Sequence, residues 1–319
     1  MMFKTLIKLT ALFIAFCSFN VVASETISAQ QWLQQMSEAQ KRQNYQFTFV
    51  QSGSMGLDIY RYSHLTQKDK SAAQLVSLNG VKREILRRQN LVSYFQTNSQ
   101  PFTIESTQII DAFPSVWFAD FDKLTAYYDF IDMGKNRVAD RLARVVRIAP
   151  KDDFRNQYIV FIDEQSKLLL RSDLLDRNGD LIEQFQVVSL YNLDDTAEFE
   201  TYLENVQYPP VLINDNKSPK MSRWQLVWLP AGFNLISEDV HSDEQNQEAI
   251  ESRLYSDGLF SFTVYVADKI VPNQLENSWQ LSGNTIYSLN IGEKEITVIG
   301  QIPSTVAKRI AQEIQFTTK

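Results

Sequence analysis

The stretch LLLRSDLLDRNGDLIEQFQVVSL, residues 168–190, predicts a long β-hairpin in the second third of the chain. Asn178 and Gly179 form its turn, because both residues tolerate the positive φ angles that a two-residue hairpin turn requires. Other strand-like segments precede this hairpin, with few helical segments between them. This organisation predicts an antiparallel and strongly curved sheet.

Upstream of the hairpin, the segment NYQFTFV at residues 44–50 places aromatic side chains at alternate positions. A period of two is typical of a strand with one buried face. Residues 28–39, which precede this strand, are predicted to form a helix. Ser28 and Gln31 make a capping box at its start, and apolar side chains recur along one face.

Downstream of the hairpin, residues 206–222 interrupt the strand pattern with three prolines and a run of Asn, Asp, Lys and Ser. This composition is typical of a linker. It separates a larger domain at residues 24–205 from a smaller one at residues 223–319. The smaller domain contains shorter strand signals and ends in an amphipathic helix near residues 304–316.

Residues 1–23 have the pattern of an export signal. Lys4 and Lys8 provide positive charge, residues 9–19 are apolar, and small residues follow at the expected cleavage position. The apolar run is shorter than the roughly 20 residues that a membrane-spanning helix needs. We therefore expect a cleaved signal peptide and an exported protein, and the bacterial style of the signal favours the periplasm.

The composition excludes several classes of function. The chain has 38 acidic and 31 basic residues, a net charge of −7, which argues against binding to the phosphates of nucleic acid. The only cysteine, Cys17, lies in the predicted signal, so the mature chain has no thiol for catalysis, disulfides or metal binding. Its two histidines, His64 and His241, fall in different domains without a metal-binding motif. We expect no metal and no cofactor.

The segment RLYSDGLFSFTVYV, residues 253–266, raises the question of catalysis, because Asp257 and two serines lie near His241 in the sequence. A Ser-His-Asp hydrolase is recognised by geometry, and the usual G-x-S-x-G mark is absent. Residues 256–258 are typical of a tight turn, and the alternating apolar residues after them are typical of a strand. We interpret the segment as a structural or recognition strand and expect no enzymatic activity. A hydrolase built on His241 is the alternative.

Aromatic residues are concentrated in FPSVWFADFDKLTAYYDF, residues 113–130. Such a segment could line or close an apolar ligand cavity inside a curved sheet. The alternative is that the rings simply belong to the core. The candidate ligand-binding residues of this segment are Phe113, Trp117, Phe118, Tyr127, Tyr128 and Phe130.

Two basic clusters stand out in an acidic chain, one around residues 82–88 and one around residues 135–147. Arginine forks suit phosphate and carboxylate groups. If the two clusters meet in space, an anionic head group could dock beside the aromatic cavity. The alternative is a solvated outer face of strands. The candidate residues are Arg83, Arg87, Arg141 and Arg144.

His64 is a candidate pH switch, because its ordinary pKa lies near 6.5. The alternative is a histidine that is hydrogen-bonded within a strand and does not change its charge.

Short motifs along the chain resemble those of the RseB/MucB family of periplasmic regulators of the envelope-stress sigma factor. In chain order they are YRYSH (60–64), LNGVKREIL (78–86), YYDF (127–130), NRVADRLARVVRI (136–148), RSDLLDRNGDLIEQF (171–185), WLPAGF (228–233), RLYSDGLFSF (253–262) and VAKRIAQEIQF (306–316). Their order and their spread over nearly the whole mature chain make the resemblance specific. One departure is Gln89, where a turn glycine is expected, and it leaves the geometry of that hairpin open.

The resemblance implies an α+β fold with two domains. The larger, N-terminal domain is expected to be similar to lipoprotein carriers of the LolA type, which are half-open antiparallel β-barrels closed by helices around an apolar cavity. The C-terminal domain is expected to be smaller and also α+β.

The resemblance also implies a partner and a ligand. The family binds the periplasmic domain of a transmembrane anti-sigma factor of the RseA or MucA type and shields it from a site-1 protease. Lipopolysaccharide or mislocalised lipoprotein, through its acyl chains, is expected to release the partner. A lipid or lipoprotein carrier of the LolA type is the alternative function. Assembly with a second copy of the chain is left open.

We expect the turn from Tyr255 to Leu259 to lie near the anti-sigma contact. The alternative is that this turn serves folding alone, because a glycine-bearing turn into a strand has a backbone reason to exist. The candidate partner-binding residues are Arg253, Tyr255, Asp257, Gly258 and Leu259.

Overall fold

A computed structural model describes residues 27–54, 56–67, 70–212, 224–242, 249–268, 276–281 and 283–316. The expected signal peptide at residues 1–23 and most of the expected linker lie outside the described residues. No helix in the described ranges is both long enough and apolar enough to cross a membrane.

The N-terminal domain is built on one antiparallel sheet, which has eleven strands in the described part of the chain. The strands are β1 (Tyr45–Gly53), β2 (Gly56–Gln67), β3 (Lys70–Ser77), β4 (Arg83–Arg88), β5 (Leu91–Gln96), β6 (Phe102–Glu105), β7 (Tyr128–Val138), β8 (Arg141–Pro150), β9 (Gln157–Asp163), β10 (Leu169–Leu175) and β11 (Leu181–Asn192). Their spatial order is β6-β5-β4-β3-β2-β1-β11-β10-β9-β8-β7. The two end strands do not pair with each other, so the sheet is half-open, as expected.

The predicted hairpin at residues 168–190 is confirmed as the β10–β11 pair. Gly179 has a φ of +92°, the positive value that its turn position requires. The Asp176 carboxylate accepts hydrogen bonds from the backbone N–H groups of Asn178 and Asp180 at 2.8 Å each. The turn is therefore held by an aspartate that the sequence places just before the Asn-Gly pair.

Helix α1 (Ala29–Arg42) packs against strands β7, β8 and β9. Its capping box is present: Ser28 Oγ accepts from the backbone N–H of Gln31, and the Gln31 side chain accepts from that of Ser28. The buried face includes Trp32, Leu33 and Met36. The helix therefore begins where the sequence predicts, and it ends three residues later than predicted, at Arg42.

A long connection between β6 and β7 crosses the apolar face of the sheet. It contains a short 3-10 helix, Ser115–Trp117, and helix α2 (Phe121–Leu124). Both of these elements contribute buried side chains to the core. This connection and α1 are the parts that close the concave side of the half-open sheet.

The end of the N-terminal domain protects an edge of this sheet. After helix α3 (Ala197–Asn205), the chain runs beside β6, where Val211 forms a parallel bridge with Thr103. The backbone N–H of Thr103 donates to the Pro210 carbonyl at 3.2 Å, and its hydroxyl donates to the Pro209 carbonyl at 2.8 Å. The first part of the expected linker is thus anchored along β6, which covers an otherwise unpaired strand edge.

The C-terminal domain contains a six-stranded antiparallel sheet and a separate two-stranded pair, counted over the described residues. The elements are β12 (Trp224–Leu226), β13 (Asn234–Ser242), β14 (Ala249–Ser256), β15 (Ser261–Asp268), β16 (Asn277–Leu281), β17 (Asn284–Ile291), β18 (Lys294–Gly300), α4 (Ser304–Gln312) and β19 (Ile314–Phe316). The order of the larger sheet is β13-β14-β15-β18-β17-β16, and α4 packs against β17 and β18.

The C-terminal helix is shorter than the sequence predicts. Val306, Ala307 and Ile310 lie on its buried face, as expected. Residues 314–316 leave the helix and form β19, which pairs with β12. The helical prediction failed there because tertiary pairing with a strand ninety residues earlier outweighs local helix propensity.

Candidate functional site

The concave face of the N-terminal sheet is filled by two rings from the β6–β7 connection. Phe113 and Trp117 have ring centroids 4.6 Å apart, and both residues are buried. Phe113 lies edge-on to Tyr62 at 4.8 Å, and Trp117 lies edge-on to Phe47 at 5.8 Å. Both rings therefore belong to the core of the N-terminal domain, and a ligand-binding role for them stays a prediction.

The other aromatic candidates do not form one group. Phe118 is half-buried and lines a cavity described below. Phe130 packs edge-on against Phe121 at 6.1 Å. Tyr127 and Tyr128 face the C-terminal domain instead, as described below. The ligand-binding role of this segment stays a prediction.

A cavity of about 250 Å³ remains between the end of α1, strands β2 to β4 and the β6–β7 connection. Its lining combines polar and aromatic side chains. The described residues that line it are Ser37, Gln40, Lys41, Tyr62, His64, Ser71, Arg87, Thr107, Gln108, Ile109, Trp117 and Phe118.

His64 is buried and lines this cavity, and its pKa is strongly perturbed. The pKa of His64 is lowered to about 4, chiefly by burial and also by the positive charge of Arg87. The Gln43 carbonyl, 2.8 Å from Nδ1, acts in the opposite direction. His64 is therefore neutral near pH 7, and the structure supports the hydrogen-bonded histidine rather than a switch at physiological pH.

The two basic clusters lie far apart in the sheet order. Arg83 and Arg87 are on β4, whereas Arg141 and Arg144 are on β8, with six strands between them. Side chains three positions apart in a strand point to opposite faces. Accordingly, Arg141 pairs with Asp163 at 2.7 Å, whereas Arg144 pairs with Asp132 on the neighbouring strand β7. The structure does not bring the four arginines together into one anion site.

The first cluster lies beside the cavity. Arg87 is buried and lines it directly. Arg83 is partly exposed and lies 3.4 Å from both the Tyr60 hydroxyl and the Asp111 carboxylate. Of the four candidate arginines, Arg87 is therefore the one that reaches the cavity.

The turn at residues 255–259 contributes Asp257 to the contact between the two domains. Asp257 accepts a hydrogen bond from Tyr128 Oη at 2.5 Å and one from Arg155 Nε at 2.7 Å. Arg155 also donates to the Ala231 carbonyl and pairs with Asp152. Sequence reasoning missed Arg155, and no local signal marks it, because its partners lie in distant parts of the chain.

Apolar contacts surround this polar network. Tyr158 stacks on Phe260 with ring centroids 5.5 Å apart, and Phe154 lies edge-on to Trp228 at 5.2 Å. The Tyr127 ring lies against Gly232 so closely that an added Cβ atom would come within 2.6 Å of it. The two domains therefore share one continuous core across their interface.

The candidate partner-binding residues are mostly occupied by these contacts. Tyr255, Asp257 and Leu259 are buried, whereas Gly258 is exposed with a φ of +95°. Arg253 lies over the Trp224 ring at 4.1 Å and donates to the Trp224 carbonyl. Their role in partner binding stays a prediction, and Arg253 and Gly258 offer the accessible atoms.

The strand register does not bring the residues of the suggested Ser-His-Asp triad together. In the β13–β14 ladder, Ser256 pairs with Asn234, and His241 lies seven residues further along β13. At about 3.3 Å per residue, this places the two backbones roughly 20 Å apart. The Asp257 carboxylate is engaged by Arg155 and Tyr128. No catalytic triad forms from these residues.

Two family models together match most of this chain. The MucB/RseB N-terminal domain matches residues 28–212, and the MucB/RseB C-terminal domain matches residues 218–315. The chain belongs to the MucB/RseB family. This result confirms the resemblance inferred from the short motifs.

Named relatives of this MucB/RseB chain are regulatory proteins. The sigma-E factor regulatory protein RseB of Haemophilus influenzae is 48% identical over 98% of this chain and 99% of its own length. RseB of Escherichia coli K12 is 38% identical over 93% of this chain and 94% of its own length. The relatives support the regulatory interpretation and not the carrier alternative.

Solved structures of the family share this fold. The complex of Pseudomonas aeruginosa MucA and MucB matches with a TM-score of 0.73 at 25% identity, covering 91% of this chain and 99% of the matched chain. A crystal structure of MucB in complex with MucA(peri) matches with a TM-score of 0.72 at 24% identity, covering 92% and 100%. The expected architecture, a half-open N-terminal sheet with helices and a smaller C-terminal domain, is confirmed.

Proposed function

We propose that this protein is a negative regulator of an envelope-stress sigma factor and acts in the periplasm after cleavage of a signal peptide at residues 1–23. It binds the periplasmic domain of a transmembrane anti-sigma factor of the RseA or MucA type. The observation that carries this proposal is the relative named as a sigma-E regulator, which is 48% identical over almost the full length of both chains. The fold shared with MucB in its MucA complex supports the same partner.

The mechanism is protection by binding. An anti-sigma segment held on this protein is unavailable to a site-1 protease, because only the free fraction can be cleaved. No catalytic group is required on this protein. We propose domain limits of 24–205 and 223–319 with a linker at 206–222. We place the partner contact near the turn at residues 255–259, where Gly258 is exposed and Arg253 on the adjoining strand is partly exposed.

Release of the anti-sigma segment follows when a second ligand binds preferentially to a different form of this protein. Lipopolysaccharide or the acyl chains of a mislocalised lipoprotein would lower partner affinity by favouring a form of the protein that binds the partner poorly. Linkage then requires the partner to lower lipid affinity by the same factor. Because Phe113 and Trp117 fill the concave face, an acyl chain can enter it only if these rings move.

A protease-protection assay tests the proposal. The mature protein is added to the purified periplasmic segment of the anti-sigma factor together with a site-1 protease of the DegS or AlgW type. Cleavage should slow in proportion to the bound fraction and recover when lipopolysaccharide is added. Serum albumin at the same concentration is the control. Cleavage at an unchanged rate in the presence of this protein would exclude the proposed function.

A further inference from the structure

The cavity at the end of α1 is electropositive, although the protein as a whole is acidic. Lys41 and Arg87 both line it, and no acidic side chain is among the described residues of its lining. Most arginines of this domain have carboxylate partners, as Arg141 and Arg171 do. The local charge therefore differs in sign from the net charge of −7.

Arg87 carries a buried charge that no carboxylate neutralises within the described residues. Its residue is 8% exposed. The guanidinium donates to Ser71 Oγ at 2.7 Å and to the Gln89 carbonyl at 3.3 Å, both neutral acceptors. A buried charge without a counter-charge costs several kcal/mol. Folding alone gives no reason to maintain this cation at a cavity wall.

A second side chain of the lining has an unused donor. Gln40 is 5% exposed, and its Nε2 atom has no hydrogen-bond partner among the described residues. It projects from α1, on a different wall from Arg87, which projects from β4. Buried polar groups are nearly always paired in folded proteins. An acceptor-rich group in the cavity would satisfy Gln40 and Arg87 together.

The size of the cavity limits what can occupy it. Its volume of about 250 Å³ lies below the roughly 300–1,000 Å³ typical of pockets for drug-sized ligands. An acyl chain would also meet polar donors that it cannot satisfy. A compact anion with acceptor oxygens pointing in several directions fits both the volume and the donors.

We propose that this cavity binds a phosphate group, held by Arg87 and Gln40 from different walls together with Lys41. Arginine forks bind phosphate through two parallel hydrogen bonds, and a buried site strengthens them. The phosphate comes from a small soluble ester or from the head group of a lipid. This inference goes beyond the proposed function, because it holds whether or not the protein binds an anti-sigma segment.

The test measures binding to the intact mature protein without any anti-sigma segment, in a buffer free of phosphate and sulfate. Inorganic phosphate and glycerol phosphate are titrated by calorimetry. Phosphatidylglycerol vesicles are compared with phosphatidylcholine vesicles by co-sedimentation. Saturable binding of the small phosphates indicates a soluble source. Binding to phosphatidylglycerol vesicles alone indicates a lipid source, and no binding in any arm overturns the proposal.

Matched variants locate the site. Arg87→Gln should weaken binding at least about tenfold, because a charge-assisted hydrogen bond is lost. Arg61→Gln removes the same charge from an exposed position on β2 and should leave binding unchanged. Equal affinities of the two variants would overturn the assignment.

Gln40→Leu gives an independent test that does not depend on the folding of the Arg87 variant. Replacing a buried, unpaired amide by an apolar side chain should preserve the fold, which circular dichroism checks. The variant should nevertheless bind phosphate several-fold more weakly. If the Gln40→Leu variant binds phosphate as tightly as the wild type, Gln40 is not a ligand of the phosphate and the proposed geometry is wrong. Because this assay contains no anti-sigma segment, its failure would leave the proposed function standing.

Discussion

Arg155 and Asp257 form an ion pair in which both side chains are fully buried, with Arg155 Nε 2.7 Å from Asp257 Oδ2. Arg155 belongs to the N-terminal domain and Asp257 to the C-terminal domain, 102 residues away. Tyr128 Oη donates to the same carboxylate, and burial raises the pKa of this tyrosine well above its usual value. The relative position of the two domains thus depends on a polar network that water does not reach.

Arg155→Met should destabilise the protein by about 3–5 kcal/mol, because it leaves the Asp257 carboxylate buried without its cation. Urea unfolding followed by tryptophan fluorescence measures the loss. Lys294→Met is the control, since its ion pair with Asp268 is exposed and should contribute less than about 1 kcal/mol. Similar losses in the two variants would show that the buried pair does not stabilise the domain contact.

Gly232→Ala should destabilise the same interface by about 3 kcal/mol. The new Cβ atom would lie 2.6 Å from the Tyr127 ring, and the φ of +89° is unfavourable for alanine. Gly292→Ala is the matched control, because Gly292 also has a positive φ but no atom within 4 Å of the added Cβ. The control should lose only about 1 kcal/mol. Thermal unfolding of both variants checks the difference, and equal losses would contradict it.

His64 should make stability depend on pH. Its pKa is about 4 in the folded protein, lowered by burial and by Arg87, against 6.5 as its ordinary value. Between these values the unfolded chain binds a proton that the folded chain does not. Stability therefore falls as pH decreases from 6.5 to 4, by up to about 3 kcal/mol, and this contribution is fully present above pH 6.5.

The measurement compares the wild-type protein with His64→Gln, which cannot be protonated. Free energies of unfolding are taken at pH 7.5 and at pH 4.5 for both proteins. The wild type should lose more stability than the variant, and the difference isolates His64 from the carboxylates that titrate in the same range. Equal losses would exclude a neutral buried histidine at this position.

Phe113→Ala should cost about 3–5 kcal/mol, because it removes a buried ring and leaves a void against Trp117 and Tyr62. Tyr191→Ala is the control, since Tyr191 is 62% exposed and should change stability by less than about 1 kcal/mol. The void should also bind an apolar fluorescent probe that the wild type excludes. If Phe113→Ala and Tyr191→Ala bind the probe equally, the interpretation that the Phe113 ring fills the concave face is contradicted.

The local features of the fold were predictable because they depend on a few consecutive residues. The turn before β11 follows from the positive φ angle that Gly179 tolerates, and the capping box at Ser28 follows from a spacing of three. Gln89 shows that a turn position can impose its backbone angle on a residue other than glycine. It takes a φ of +53° in the β4–β5 turn, at the position where a glycine was expected.

The candidate site was predictable only in part. The alternation of side chains in a strand already implies that Arg141 and Arg144 face opposite sides. The position of Arg87 at a cavity wall also depends on α1 and on the β6–β7 connection, which reach that wall from elsewhere in the chain. The local density of basic residues in the sequence identified Arg87 as a candidate. It could not distinguish Arg87 from arginines that form ion pairs with carboxylates.

The sequence by itself determined the family, the turns, the strand periodicity and the acidic character of the protein. Only the tertiary structure decided that Phe113 and Trp117 pack on the concave face, that Arg87 has no carboxylate partner among the residues the structure describes, and that Arg155 joins the domains through Asp257. The physical reason is the separation along the chain of the residues that interact. Turns, caps and periodicity arise from neighbouring residues, whereas burial and ion pairing depend on which distant segments meet when the chain folds.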